Sequence, residues 1–137
     1  VALHLIDSGV WIDWMRAREG KATARLAELK EAPAYLATTQ PVAMEVLQGV
    51  HSAAVGRVER VFDGLVRLDI DPQLDFHQAA HLYRAVRESG HTVRSSIDTL
   101  IAAVALRRGA VLVHRDRDYE RIAAVAPKLR TEPLLDL

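Results

Sequence analysis

The chain has 137 residues, half of them apolar, enough for one compact domain with a real core and too few for a comfortable second one. It carries no apolar run of about 18 residues and no basic segment leading into a long apolar core, so a soluble, cytoplasmic protein without a membrane span or signal peptide is expected. Cysteine is absent and Lys+Arg equals Asp+Glu at 18 each, which excludes disulfides and thiolate metal sites and removes any whole-molecule charge argument for nucleic acid.

Residues 2–6 read as an apolar strand that stops at Asp7. Beyond Ser8 and Gly9, Val10, Trp11 and Trp14 follow helical spacing. Residues 21–31 set Ala24, Leu26, Ala27 and Leu29 among charges and end before Pro33, as a helix does. A second strand is expected at 34–37, then a helix over 40–50 with a proline suited to its first turn. Residues 58–65 continue as helix, and 66–71 (VRLDID) read as a short third strand before Pro72. Leu74, Ala79, Leu82, Ala85 and Val86 mark a helix closed by Ser89-Gly90, and 95–108 an apolar helix stopped by Gly109. AVLVH (110–114) is the fourth strand, 118–126 a short helix before Pro127, and 131–137 a last strand. Short apolar strands alternating with helices predict an α/β fold with a central, mostly parallel sheet of four to five strands covered on both faces. No repeat, low-complexity tract or linker divides residues 1–137, which read as a single domain.

In such a sheet, ligands collect beyond the carboxyl ends of the strands, and acidic residues gather there. Asp7 ends the first strand, Glu45 lies in the helix after the second, Asp98 starts the apolar helix before the fourth, and Asp116 and Asp118 follow the fourth. Each has a structural alternative. Asp7 or Ser8 suits a cap of the first helix, Ser95 and Asp98 an approximate capping box, Asp116 a cap of the last helix, and Asp118 its positive end; Glu45 suits an exposed helix edge. Together they are harder to explain that way. Two carboxylates about 4 Å apart repel by about 4 kcal/mol at an effective dielectric near 20, so a shared ionised pocket needs a countercharge. Mg²⁺ or Mn²⁺ matches an all-oxygen donor set, lowers the pKa of a bound water, and neutralises a phosphate under in-line attack. Phosphodiester hydrolysis is the natural chemistry.

Among the basic residues only Lys21, Lys30 and Lys128 are lysines. Arginine is the better bidentate partner for phosphate, although a coding bias toward G and C explains the composition equally well. Arg94, Arg115 and Arg117 lie near Asp98 and Asp116 in sequence and are candidates for holding a nucleic-acid backbone, whereas Arg107 and Arg108 suit a helix C-terminus. His77 and His81 have the spacing of a metal-binding pair but lack a carboxylate motif such as HExxH, which disfavours zinc. His114 reads as a solvent-facing strand end. There is no GxSxG elbow, so Ser8, Ser95 and Ser96 read as capping or supporting hydroxyls.

The stretches LIDSGVWID, PVAMEVLQG, SSIDTLIAAVA and VLVHRDRDYERIA, in that order, resemble the four acidic blocks of the PIN-domain family, and more closely the VapC-like toxins of bacterial and archaeal toxin/antitoxin pairs. The resemblance spans nearly the whole chain. It implies a three-layer α/β/α domain and a Mg²⁺-dependent endoribonuclease, with Mn²⁺ able to substitute, that cuts tRNA or ribosomal RNA and so inhibits translation. It assigns the catalytic and metal-binding acids to Asp7, Glu45, Asp98 and Asp116, with Asp118 assisting, and a supporting hydroxyl to Ser8. Where many relatives have a hydroxylated residue next, this chain has Gly9. The resemblance also implies a homodimer and a cognate VapB-like antitoxin. Trp11, Trp14 and Met15 are candidates for antitoxin contacts, although at least one tryptophan at helical spacing is expected in the core.

Two other readings compete. Aspartate-nucleophile phosphatases also place an aspartate after their first strand, but they need a second one where Gly9 stands. A catalytically silent PIN fold would act by binding RNA or a protein; four retained carboxylates disfavour it, because without metal their repulsion makes the cluster a liability.

Overall fold

The computed structural model describes residues 2–135. Its elements are β1 (His4–Ile6), α1 (Ser8–Met15), α2 (Lys21–Leu29), β2 (Leu36–Thr38), α3 (Gln40–Gly49), α4 (Val55–Asp63), β3 (Val66–Arg67), α5 (Asp75–Glu88), α6 (Ser96–Arg108), β4 (Val111–His114), α7 (Arg117–Val125) and β5 (Arg130–Pro133). The five strands form one sheet in the order β3-β2-β1-β4-β5, and every pairing is parallel. Parallel strands need crossovers, which run right-handed. Strand order reverses at the β1/β4 boundary, so the connecting helices fall on opposite faces and make the outer layers.

The sheet's centre is apolar on both sides. Leu5 and Ile6 of β1 and Leu112 and Val113 of β4 are fully buried, as expected for strands covered twice. Helix α6 is buried from Thr99 through Ala105, and its alanines let it approach its neighbours closely. Gly109 ends it with φ 63°, a left-handed conformation that suits glycine.

Two predicted strands are shorter or later than expected. Pro33–Tyr35 forms a 3-10 turn before β2; Pro33 has no N–H to offer a ladder, so pairing begins only at Leu36. β3 has two residues because the following aspartates turn the chain. Asp71 Oδ1 accepts the N–H groups of Gln73 and Leu74 at 3.0 Å each, leading directly into α5. The last predicted strand, 131–137, is met by β5 over Arg130–Pro133; its final residues lie outside the described ones.

Arg107 does more than complement a helix end. Its Nε and Nη2 donate to the two carboxylate oxygens of buried Asp75 at 2.8 and 2.9 Å, and Nη2 also donates to the Asp69 carbonyl at 2.7 Å. Burial would raise the Asp75 pKa; the Arg107 hydrogen bonds and the Asp71 N–H outweigh it and hold the carboxyl below its usual range. This pair ties α5 to α6. Trp11 is likewise internal: it is fully buried and packs edge-to-face on Phe62 at 5.3 Å, so it is not an exposed partner contact. Trp14 and Met15 are partly buried.

Candidate metal centre

The strand-order reversal between β1 and β4 opens a crevice at their carboxyl ends, the place where open α/β sheets bind ligands. A cleft of about 770 Å³ lies there, with Asp7, Ser8, Glu45, Asp98, Asp116 and Asp118 among its lining residues. Asp7 follows β1 directly, and its N–H to the Val113 carbonyl at 2.9 Å continues the β1/β4 ladder. It occupies the N-cap position of α1, yet its side chain makes no capping bond. Instead Asp7 Oδ1 accepts from the Tyr119 hydroxyl at 2.7 Å.

The other acids arrive from three helices. Glu45 projects from α3, and Ser8 Oγ donates to its Oε1 at 2.9 Å. Asp98 lies in the first turn of α6; Ser95 caps that helix through the Ile97 N–H at 3.2 Å, and Tyr119 Oη is 3.3 Å from Asp98 Oδ1. Asp116 caps α7, its Oδ1 accepting from the Asp118 N–H at 2.9 Å. One carboxylate oxygen each from Asp7, Glu45 and Asp98 can be chosen so that all lie within 4.8 Å of one another, and the same holds for Asp98, Asp116 and Asp118. Asp98 belongs to both groups.

The electrostatics are strained. Asp98 is pushed up to about 7 by burial and then by the charges of Asp7, Asp116 and Glu45. Burial also raises Asp7, against the hydrogen bond from Tyr119 and the pull of the nearby Ser8 and Gly9 N–H groups, and raises Glu45 beside Asp7. Burial and the neighbouring carboxylates keep the Tyr119 phenol protonated well above its usual range, so it remains a donor. Ionised oxygens with too little countercharge, and no sulfur or imidazole among them, fit a hard divalent cation.

A family model for the PIN domain matches residues 4–125. Ribonuclease VapC11 of Mycobacterium tuberculosis is 42% identical over 123 residues, covering 88% of this chain and 92% of that protein. The chain belongs to the PIN-domain family, among the VapC ribonucleases. The fold agrees with solved members at low identity. A DNA-bound VapBC of Salmonella typhimurium superposes with a TM-score of 0.75 at 22% identity, covering 98% of this chain and 99% of that one. M. tuberculosis VapC20, described as a sarcin-ricin loop cleaving toxin, gives 0.64 at 20% identity over 85% of this chain and 92% of that one.

Within this PIN domain the three arginine candidates stand differently. Arg94 is drawn into the acids: Nη2 lies 2.8 Å from Asp116 Oδ2 and Nε 3.3 Å from Asp118 Oδ2. Arg115 pairs with Asp13 at 2.7 Å and donates to the Gly9 carbonyl at 3.3 Å. A Cβ added at Gly9 would meet Arg115 Nε at 3.4 Å, so the glycine leaves room for that arginine across the first turn of α1. Arg117 is exposed at the cleft rim.

His114 is fully buried, not solvent-facing. Its Nδ1 accepts the Asp116 N–H at 3.0 Å, which assigns the ring proton to Nε2, 2.7 Å from Glu120 Oε2. It holds the backbone that presents Asp116. Its position closing an otherwise buried strand was the available signal. Tyr119 was missed altogether, because spacing along α7 marks it only as apolar. His77 and His81 approach to 3.1 Å on the exposed face of α5, away from the acids.

Proposed function

We propose that residues 1–137 act as a single Mg²⁺-dependent endoribonuclease domain, the toxin of a toxin/antitoxin pair, with Mn²⁺ able to substitute. The observation that carries this reading is the convergence of Asp7, Glu45 and Asp98 oxygens within 4.8 Å at the sheet's switch point. When bound, the cation supplies countercharge to the acids and to a phosphodiester, and activates water for its hydrolysis.

The chain's own residues prepare that step. Asp7, Glu45 and Asp98 hold the cation, and Asp116 adds negative charge beside Asp98 from the β4 side. Ser8 orients Glu45, Tyr119 orients Asp7, and His114 fixes the Asp116 backbone. Arg115 and Arg117, exposed at the rim, are suited to grip the RNA backbone.

The substrate is tRNA or ribosomal RNA, whose unpaired bases and loops offer shape for recognition; cleavage would inhibit translation in the cytoplasm. Among the described residues, no helix is long and apolar enough to cross a membrane. A homodimer is supported by Leu74 and Phe76, 57% and 55% exposed at the start of α5. A VapB-like antitoxin is supported by exposed Met44 beside Glu45 and by the partly buried Trp14 and Met15.

The test is to incubate purified, antitoxin-free protein with total cellular RNA in Mg²⁺ or EDTA and to sequence the new ends. Discrete Mg²⁺-dependent cuts in tRNA or ribosomal RNA support the reading. RNA binding without cleavage in either condition would replace it with a catalytically silent PIN fold.

A further inference from the structure

We propose that the Arg94 guanidinium stands in for a second divalent cation at the Asp116 end of the cleft, so that this chain binds one metal ion, held by Asp7, Glu45 and Asp98. The inference rests on the metal-dependent reading above and adds the stoichiometry and the residue that sets it.

The two acidic groups share Asp98 but differ in what already neutralises them. Among the described residues, Asp7, Glu45 and Asp98 accept side-chain hydrogen bonds only from the hydroxyls of Tyr119 and Ser8. No guanidinium or ammonium is bonded to them. That group holds three formal charges with no partner cation, which is where a metal ion is needed.

At the other end every carboxylate oxygen has a donor. Asp116 Oδ1 accepts the Asp118 N–H and Oδ2 the Arg94 Nη2. Asp118 Oδ2 accepts both the N–H and Nε of Arg94, at 3.1 and 3.3 Å, and Oδ1 accepts Arg121 Nη1 at 3.1 Å. Two acids therefore face two guanidiniums, and the formal charges cancel. A second cation would have to compete with Arg94 for Asp116 Oδ2 and Asp118 Oδ2.

Exposure decides how firmly Arg94 is held. Its side chain is 76% exposed, and an exposed ion pair alone is a weak restraint. The restraint comes from the backbone: the Arg94 N–H is anchored on Asp118, whose side chain is 3% exposed, and the preceding Val93 is buried. The guanidinium is thus delivered to Asp116 by a fixed tether, which keeps its local concentration high.

Metal counting tests this without RNA. Metal-free wild type, Arg94→Ala and Arg94→Gln are titrated with Mn²⁺ by calorimetry and by the loss of the free-ion electron paramagnetic resonance signal, with circular dichroism to confirm folding. Wild type should take one Mn²⁺. Both variants should take a second, its affinity at least about tenfold above any second binding to wild type. Two equally tight ions in wild type, or one in both variants, would overturn the Arg94 assignment while leaving the metal centre intact. No Mn²⁺ bound by any of the three would overturn the metal-dependent reading and this inference with it.

Discussion

The hydroxyl of Tyr119 reaches 112 residues back along the chain to donate to Asp7 Oδ1 at 2.7 Å. A buried carboxylate is costly unless hydrogen-bonded, and this phenol is the only side-chain donor Asp7 has among the described residues. The same oxygen lies 3.3 Å from Asp98 Oδ1, so one side chain on α7 sets two acids that come from β1 and α6.

Tyr119→Phe keeps the packing and removes the donor. The expected loss is about 1.5–3 kcal/mol, as for a hydrogen bond to a charged group, with weaker Mn²⁺ binding. Urea unfolding and Mn²⁺ titration of wild type and variant check this. Unchanged values in both would remove Tyr119 from the site.

The raised acids give the metal-free protein an unusual pH response. Asp98 has a folded-state pKa of about 7 against an ordinary 3.8, so ionising it opposes folding. The penalty is absent below the ordinary value, grows as pH rises toward about 7, and is complete above it. Asp7 and Glu45 shift in the same direction, whereas the lowered Asp75 acts only in stronger acid. In EDTA, thermal unfolding should therefore occur at a lower temperature near pH 8 than near pH 5.5, by a few kcal/mol of stability. Mg²⁺ should restore most of the difference at the higher pH. A flat profile in EDTA would contradict the strained cluster.

Arg107→Ala separates stability from chemistry. It leaves buried Asp75 without its bidentate partner, at a cost of about 3 kcal/mol. Mn²⁺ affinity below the unfolding transition should not change, because neither residue lines the acidic cleft. Denaturant unfolding and Mn²⁺ titration give the two readings.

Ser8→Ala removes the hydroxyl that donates to Glu45 at 2.9 Å. Loss of one such bond, about 1.4 kcal/mol at the site, corresponds to about tenfold slower RNA cleavage. Initial rates at saturating Mg²⁺ measure it, and full activity would show that Glu45 needs no support.

What sequence could and could not convey follows from range. Helix α6 was readable because its apolar run and Gly109 are local signals, and Asp7, Asp98 and Asp116 stood out because each follows a strand or opens a helix, whereas Glu45 lies inside α3. β2 came later than expected because Pro33 turns the chain first. Tyr119 escaped for another reason. Its partners are chosen by how α7 packs against β1 and α6, and no local spacing encodes a bond across 112 residues. His114 bonds locally, to the Asp116 N–H and Glu120, and only its burial in the fold separates it from an exposed strand end. Arg94 is a candidate for the nucleic-acid backbone from its nearness to Asp98 and Asp116 in sequence, and its bonds to Asp116 and Asp118 are an addition that no sequence spacing conveys.

The central claim is that Asp7 and Asp98 act through a divalent cation on RNA. The most direct measurement compares Mg²⁺-dependent cleavage of total RNA by wild type, Asp7→Asn and Asp98→Asn, each confirmed folded by circular dichroism. The account predicts cleavage by wild type that EDTA abolishes, and a loss of at least about 100-fold in each variant. Cleavage that persists in EDTA, or variants that cut as fast as wild type, would contradict it.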